Sequence, residues 1–103
     1  MITTITKFNL SKPVTLDEAK SIFLTTAPKY RDVPGLNRKC YVRFDGGHAV
    51  GGIYLWDSRA DAEKIFTDDW KVFVKEKYGS EPEITYLETP VVVDNVSGEI
   101  LSS

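Results

Sequence analysis

The chain has 103 residues, of which 42% are hydrophobic and 27% charged, a balance typical of one globular domain rather than of a disordered segment. Its formal net charge is −2 and no run of basic residues occurs, which argues against a nucleic-acid partner. No apolar stretch is long enough for a membrane span, and the first residues do not have the pattern of a signal peptide. The lone cysteine, Cys40, fits a reducing compartment, so we expect a cytoplasmic protein.

The first part of the chain predicts a strand followed by a helix. β-Branched residues between Ile2 and Leu10 are typical of a strand, which Ser11-Lys12-Pro13 ends. Thr15-Leu16-Asp17-Glu18 has the form of a capping box, and apolar residues recur at helical spacing from Leu16 to Tyr30. Pro28 is expected to kink this helix or to end its regular part.

The middle of the chain predicts a β-hairpin. A turn at Pro34-Gly35 precedes a strand from Leu36 to Phe44. Asp45-Gly46-Gly47 turns the chain back into a strand from His48 to Trp56. Strand alternation places Tyr54 and Trp56 on one face of this strand and Ile53 and Leu55 on the other.

The last part predicts a second helical region and a final strand. The helical region starts at Asp57-Ser58, restarts at Thr67-Asp68-Asp69 and ends at Gly79, a residue typical of helix C-termini. A strand follows from Glu83 to Glu88, and Val91-Val92-Val93 is expected to form an extended arm that pairs with the sheet edge of a partner.

The order of elements, β-α-β-β-α-β, predicts an α+β fold of the ferredoxin-like type. Its four-stranded antiparallel sheet carries both helical regions on one face. We assign residues 1–95 to this domain and residues 96–103 to a flexible C-terminal tail. Apolar strand residues outnumber those that two helices can cover, which favours a homodimer on physical grounds alone.

Several segments resemble a known family. Pro34-Gly35-Leu36, Lys39, His48 and the run Gly51-Gly52-Ile53-Tyr54-Leu55-Trp56 resemble the YdhR-like mono-oxygenases, which belong to the dimeric α+β barrel superfamily. In addition, the segment from Trp56 to Ala62 is similar to the strand-to-helix junction of the antibiotic-biosynthesis mono-oxygenases. Those enzymes often carry a histidine nine residues after this tryptophan, where the present chain has Ile65.

The resemblance implies a dimeric α+β barrel and cofactor-independent oxygenation of a small aromatic or phenolic substrate. Two alternatives remain open at this point: a non-oxidative cyclase or isomerase of the same fold, and a small-molecule-binding protein without catalysis. We expect no intrinsic cofactor and no metal, because the chain lacks a dinucleotide-binding glycine motif and a cluster of metal-ligating residues.

One histidine and a set of aromatic residues are the candidates for the site. His48 is the only histidine and the candidate general base, although a solvated histidine at a hairpin end explains it equally simply. A small-molecule pocket between helices and sheet is expected to have an aromatic lining, with His48 near its mouth. The alternative is that these rings only fill the core. The candidate substrate-binding residues are Phe23, Tyr30, Tyr54, Trp56 and Tyr86.

Overall fold

An antiparallel sheet of four strands, with helices on one face, organises the fold. In the computed structural model, which describes residues 1–103, the strands of this sheet are β1 (Ile2–Asn9), β2 (Leu36–Arg43), β3 (Ala49–Trp56) and β4 (Glu83–Glu88). The helices are α1 (Leu16–Thr26), α2 (Arg59–Ile65) and α3 (Asp68–Tyr78), and a 3₁₀ turn, Ala27–Tyr30, follows α1. Two further strands, β5 (Val91–Asp94) and β6 (Glu99–Ser102), form a separate hairpin. No helix is both long and apolar enough to cross a membrane.

The strand order β2-β3-β1-β4 confirms the predicted β-α-β-β-α-β topology. β1 lies in the centre, where Ile2 is opposite Trp56 on one side and Glu88 on the other. β2 and β3 form the predicted hairpin, and the two helical segments α2 and α3 connect β3 to β4. The sheet therefore places residues from three distant parts of the chain side by side.

The predicted helix boundaries follow from local chemistry. The Thr15 hydroxyl accepts a hydrogen bond from the Glu18 backbone N–H, and the Glu18 carboxylate accepts one from the Thr15 N–H, as a capping box requires. Pro28 ends the regular part of α1, and the chain continues as a 3₁₀ turn. Gly79 ends α3 in the left-handed conformation, with φ of 84°.

The core lies between the helices and the covered face of the sheet. Trp56 is fully buried, and its indole Nε1 donates a 2.9 Å hydrogen bond to the Thr4 hydroxyl. Thr6, also buried, accepts a 2.9 Å bond from the Gly52 backbone N–H. Two polar residues of the central strand are thus satisfied by the side chain and backbone of β3.

The other face of the sheet has no helix on it and exposes apolar residues near its centre. Ile53 lies opposite Ile5 on β1 and Cys40 on β2 and is 40% exposed. Leu87 on β4 is 42% exposed. The alternation predicted for β3 is confirmed, since its neighbours Tyr54 and Trp56 are buried on the covered face.

The end of the chain differs from the sequence prediction. Instead of a flexible tail over residues 96–103, Glu99–Ser102 forms a strand that pairs with Val91–Asp94. The Asp94 carboxylate closes the intervening turn by accepting hydrogen bonds from two backbone N–H groups, and Gly98 supplies a φ of 76°. The predicted arm therefore pairs with its own chain here, and an ion pair of 3.3 Å between Arg38 and Asp94 ties it to β2.

Candidate small-molecule site

A small cavity lies between the helices and the covered face of the sheet. Its volume is about 30 Å³, enough for one or two water molecules. Its walls are mainly aromatic and come from six parts of the fold, one of which is β1 with Phe8. They include Phe23 of α1, Tyr30 of the 3₁₀ turn, Tyr41 of β2, Tyr54 of β3, and Trp70 and Tyr78 of α3.

Ring stacking and two hydrogen bonds fix these walls. Phe23 stacks on Tyr41 with ring centroids 4.8 Å apart. The Tyr41 hydroxyl shares a 2.8 Å hydrogen bond with the Thr26 hydroxyl, and the Trp70 indole N–H donates a 3.1 Å bond to the Tyr30 hydroxyl. The polar ends of the rings are therefore paired while their faces remain available to the cavity.

Lys39 of β2 also lines the cavity, and its amine is surrounded by tyrosine rings. The Lys39 Nζ lies 3.3 Å from the ring centroid of Tyr30, 3.9 Å from that of Tyr41 and 4.7 Å from that of Tyr54. The three ion pairs of the protein join other residues, and no carboxylate is among the residues that line the cavity. A lysine amine in an aromatic enclosure without a counter-ion is the least ordinary feature of this site.

Burial sets the protonation of this group and of the surrounding phenols. It lowers the pKa of Lys39 from 10.5 to about 7. It raises the pKa of Tyr54, with the adjacent Tyr30 acting in the same direction, and it raises the pKa of Tyr78 to about 12. Near neutral pH these two tyrosines keep their protons, whereas Lys39 exchanges between amine and ammonium.

Three of the predicted aromatic residues line the cavity and two do not. Phe23, Tyr30 and Tyr54 contribute walls. Trp56 lies behind them and stacks on Tyr54 at 5.6 Å, so it supports the wall rather than forming it. Tyr86 belongs to the same supporting cluster and lies beneath the guanidinium of an arginine on α2, 4.1 Å from its ring centroid.

His48 lies outside this cavity. It is exposed at the turn between β2 and β3, and its backbone carbonyl accepts a 2.8 Å hydrogen bond from Leu10. The expected position near the pocket mouth is not the one it occupies, because the turn carries it to the end of the sheet while the cavity lies nearer the middle. Lys39, which no pattern in the sequence indicated as a site residue, is the titratable group that the tyrosine rings of the cavity enclose.

The ring of Phe23 separates the cavity from two larger hollows. One, of about 210 Å³, lies toward the start of α1 and Tyr78. The other, of about 360 Å³, is an open groove between α1 and Arg43 of β2. Phe23 contacts all three spaces, while Tyr41 is shared with the open groove and Tyr78 and Lys77 with the other hollow.

No group of three or more His, Cys, Asp or Glu side chains is arranged to hold a metal ion. The titratable groups that line the cavity are the tyrosines named above, Lys39 and Lys77. The lining therefore offers ring faces to an aromatic molecule and one amine that can exchange a proton with it, provided that the cavity is enlarged.

The fold and this cavity define a ferredoxin-like α+β domain with an aromatic pocket beneath its helices. Among solved structures, the chain resembles a mono-oxygenase of Streptomyces coelicolor determined in complex with nanaomycin D, with 17% identity and a TM-score of 0.63 over 85% of this chain and 86% of that one. It also resembles SnoaB, a cofactor-independent oxygenase of Streptomyces nogalater, with 16% identity and a TM-score of 0.60 over 85% and 91% of the two chains.

A third similar structure, from Deinococcus radiodurans, is placed among the antibiotic-biosynthesis mono-oxygenases. It has 10% identity and a TM-score of 0.65, and the match covers 91% of this chain and 97% of that chain. At these identities the likeness shows a shared fold, which confirms the fold expected from the sequence resemblance. No protein-family profile matches the sequence, and no curated protein matches it either.

Proposed function

We propose that the protein is a cofactor-independent mono-oxygenase that acts on a small aromatic or phenolic substrate bound between the helices and the sheet. The observation that carries this proposal is the aromatic cavity, in which tyrosine rings surround the Lys39 amine, in a fold shared with SnoaB and the nanaomycin-bound mono-oxygenase. The rings supply flat apolar surfaces for the substrate and exclude water from the reacting centre.

The proposed chemistry needs a base and a dry pocket. The base removes a proton from an acidic O–H or C–H group of the substrate, and the resulting anion gives one electron to O₂. Recombination of the two radicals forms a C–O bond and a peroxide anion at a carbon that keeps one hydrogen, and the protonated base returns its proton to the terminal oxygen. Loss of water from this peroxide leaves a carbonyl group, so one oxygen atom enters the product and the other leaves as H₂O. The low polarity of the walls favours electron transfer from the anion to O₂, because no water solvates and stabilises the anion.

Access to the pocket requires movement of Phe23. The cavity of about 30 Å³ is too small for an aromatic substrate, whereas the two hollows on the other sides of Phe23 hold about 210 and 360 Å³. Phe23 is half-buried and its partner Tyr41 belongs to a different element, so its ring can turn without unfolding α1. Substrate binding in this proposal displaces the Phe23 ring and joins the three spaces.

The protein acts as a homodimer in this proposal. The uncovered sheet face carries Ile53 and Leu87 in exposed positions, and burying such surface stabilises an association by roughly 25 cal/mol per Å². Packing of two such faces against each other would also fix β3, whose opposite face carries Tyr54. The dimer therefore supports the floor of each pocket without contributing residues to it.

Oxygen uptake is the direct test. The purified protein is incubated with a tricyclic anthrone or a dihydroxynaphthalene, with a metal chelator present and no flavin or nicotinamide added. Protein-dependent oxygen uptake with one ¹⁸O atom from ¹⁸O₂ in the product supports the proposal. Conversion that continues without oxygen points to a cyclase or isomerase, and saturable binding without conversion points to a binding protein; either result contradicts oxygenation.

A pair of variants connects the activity to the cavity. Phe23→Ala removes the ring between the three spaces and is expected to change kcat/KM by about tenfold, the equivalent of about 1.4 kcal/mol. Val72→Ala is the matched control, because Val72 is 56% exposed on α3 and lines none of these spaces. Equal effects of the two substitutions would place the substrate elsewhere.

A further inference from the structure

The position of Lys39 is set by the sheet register and by what covers it. Lys39 lies directly opposite Tyr54 on the helix-covered face of the sheet. Gly52, on the same face of β3, leaves space for the lysine stem: a Cβ atom at Gly52 would lie 3.2 Å from the Lys39 Cε. Tyr30 then covers the amine from the 3₁₀ turn that Pro28 imposes after α1.

Structural stability does not require an amine at this position. The ring faces attract an ammonium group, but an ion pair is absent and burial opposes the charge. A methionine or leucine would fill the same space without this conflict. A half-buried lysine that is enclosed by rings and has no ion pair is a candidate for chemistry.

We propose that Lys39 is the base of this site: its neutral amine takes the proton of a phenolic or enolic hydroxyl group, and the resulting ammonium holds the oxyanion. The inference rests on the proposed function and deepens it by naming the proton acceptor and the substrate class. The O–H bond of the substrate breaks, an N–H bond forms on Nζ, and the neutral pair becomes an ammonium–phenolate pair. No oxidant takes part in this step.

The groups that face the Lys39 amine agree with this role. Tyr30, Tyr41 and Tyr54 surround it, Tyr78 and Lys77 line the same cavity from α3, and no carboxylate is present to hold Lys39 in its charged form. Burial, which lowers the pKa of Lys39 to about 7, leaves a large part of the amine neutral at neutral pH. Once the proton has moved, the ring faces and the oxyanion both stabilise the new ammonium.

This arrangement favours substrates with an acidic hydroxyl group. A phenol whose pKa lies close to that of Lys39 transfers its proton with little change in free energy, whereas a hydrocarbon of the same shape has no proton to give. The expected substrates are therefore hydroxylated aromatic rings or enolised carbonyl compounds, rather than unsubstituted rings.

Binding of 4-nitrophenol tests the proton transfer without any oxygenation, because its phenolate absorbs visible light and its neutral form does not. In the wild-type protein the bound ligand is expected to ionise at a pH at least one unit lower than the free ligand. Lys39→Met is expected to abolish this shift and to weaken binding of the phenolate by about tenfold or more. Lys29→Met is the control, since the Lys29 amine lies 5.2 Å from the ring centroid of Phe73 but its side chain is exposed.

A second measurement follows the lysine itself. In protein labelled with ¹³C at lysine Cε, one signal is expected to titrate near pH 7 and to be absent from Lys39→Met. Lys39→Arg keeps a positive charge that cannot be removed near neutral pH, so it is expected to bind phenolate and to fail in turnover. The proposal is overturned if Lys39 titrates near 10.5, if 4-nitrophenol ionises alike in wild type and Lys39→Met, or if it does not bind. A normal ionisation shift without oxygen uptake would instead contradict the oxygenase function and leave the base in place.

Discussion

Replacing Lys39 by methionine is expected to stabilise the protein near neutral pH. Burial lowers the pKa of Lys39 from 10.5 to about 7, and at about 1.4 kcal/mol per pKa unit this interval corresponds to roughly 5 kcal/mol. The three tyrosine rings around the amine offset part of this, by about 1 to 2 kcal/mol, because they attract the ammonium. We expect Lys39→Met to raise the free energy of unfolding at pH 7 by about 2 to 4 kcal/mol.

The sign of the pH dependence follows from proton counting. Between pH 7 and 10.5 the unfolded chain holds a proton on Lys39 that the folded protein lacks, so the free energy of unfolding rises with pH over this window. Below pH 7 both states are protonated and the penalty is constant. The raised pKa values of Tyr54 and Tyr78 act in the opposite direction at higher pH, but both residues are present in the wild type and in the variant.

Urea denaturation at intervals between pH 6 and pH 10 measures the effect. The difference in unfolding free energy between Lys39→Met and wild type should be largest at pH 6 to 7 and should shrink as the pH rises. Lys29→Met, which removes an exposed lysine near an aromatic ring, should show no such trend. A pH-independent difference, or a wild type more stable than Lys39→Met at pH 7, would refute the assignment of Lys39 as a buried amine with a lowered pKa.

Three further predictions concern the turn, the open face and the hairpin. His48→Ala should change turnover by less than threefold, because His48 is exposed and outside the cavity; a loss of about 10² in oxygen uptake would restore it as the base. If the protein is the homodimer proposed above, Ile53→Asp should give a monomer in light scattering, whereas Val72→Asp on α3 should not; an intact Ile53→Asp dimer would count against packing through the sheet. Truncation after Thr89 removes the β5–β6 hairpin and should weaken dimerisation in sedimentation experiments. A truncated chain with the wild-type dimerisation constant would show that the hairpin serves another purpose.

The sequence predicted the features of the fold that depend on local chemistry. Thr15 and Glu18 cap α1 through their own side chains, Gly79 ends α3 through its own conformation, and the strand period alone separated Tyr54 from Ile53. These signals act within a few residues, so they can be read without knowledge of the rest of the chain.

The part of the site that the sequence did not predict depends on contacts between distant segments. Lys39 belongs to a strand that has only exposed and half-buried residues, and the crossing of Tyr30 above it encloses its amine. His48 was the predicted base because a histidine side chain has a pKa near neutral pH in water. In this fold, burial lowers the pKa of a lysine to about 7. The β5–β6 hairpin was not predicted because Glu99–Ser102 is short and has only two apolar residues, so its sequence resembles a flexible tail.

The central position of β1 has a consequence for how the chain folds. β1 ends at Asn9, but its two neighbours begin only at Ala49 and Glu83. During synthesis, β1 therefore leaves the ribosome well before either of the strands that pair with it. An unpaired strand of isoleucine and phenylalanine alone would aggregate during that interval. Thr4 and Thr6 make the strand less apolar before it pairs, and in the finished sheet their hydroxyl groups accept hydrogen bonds from β3.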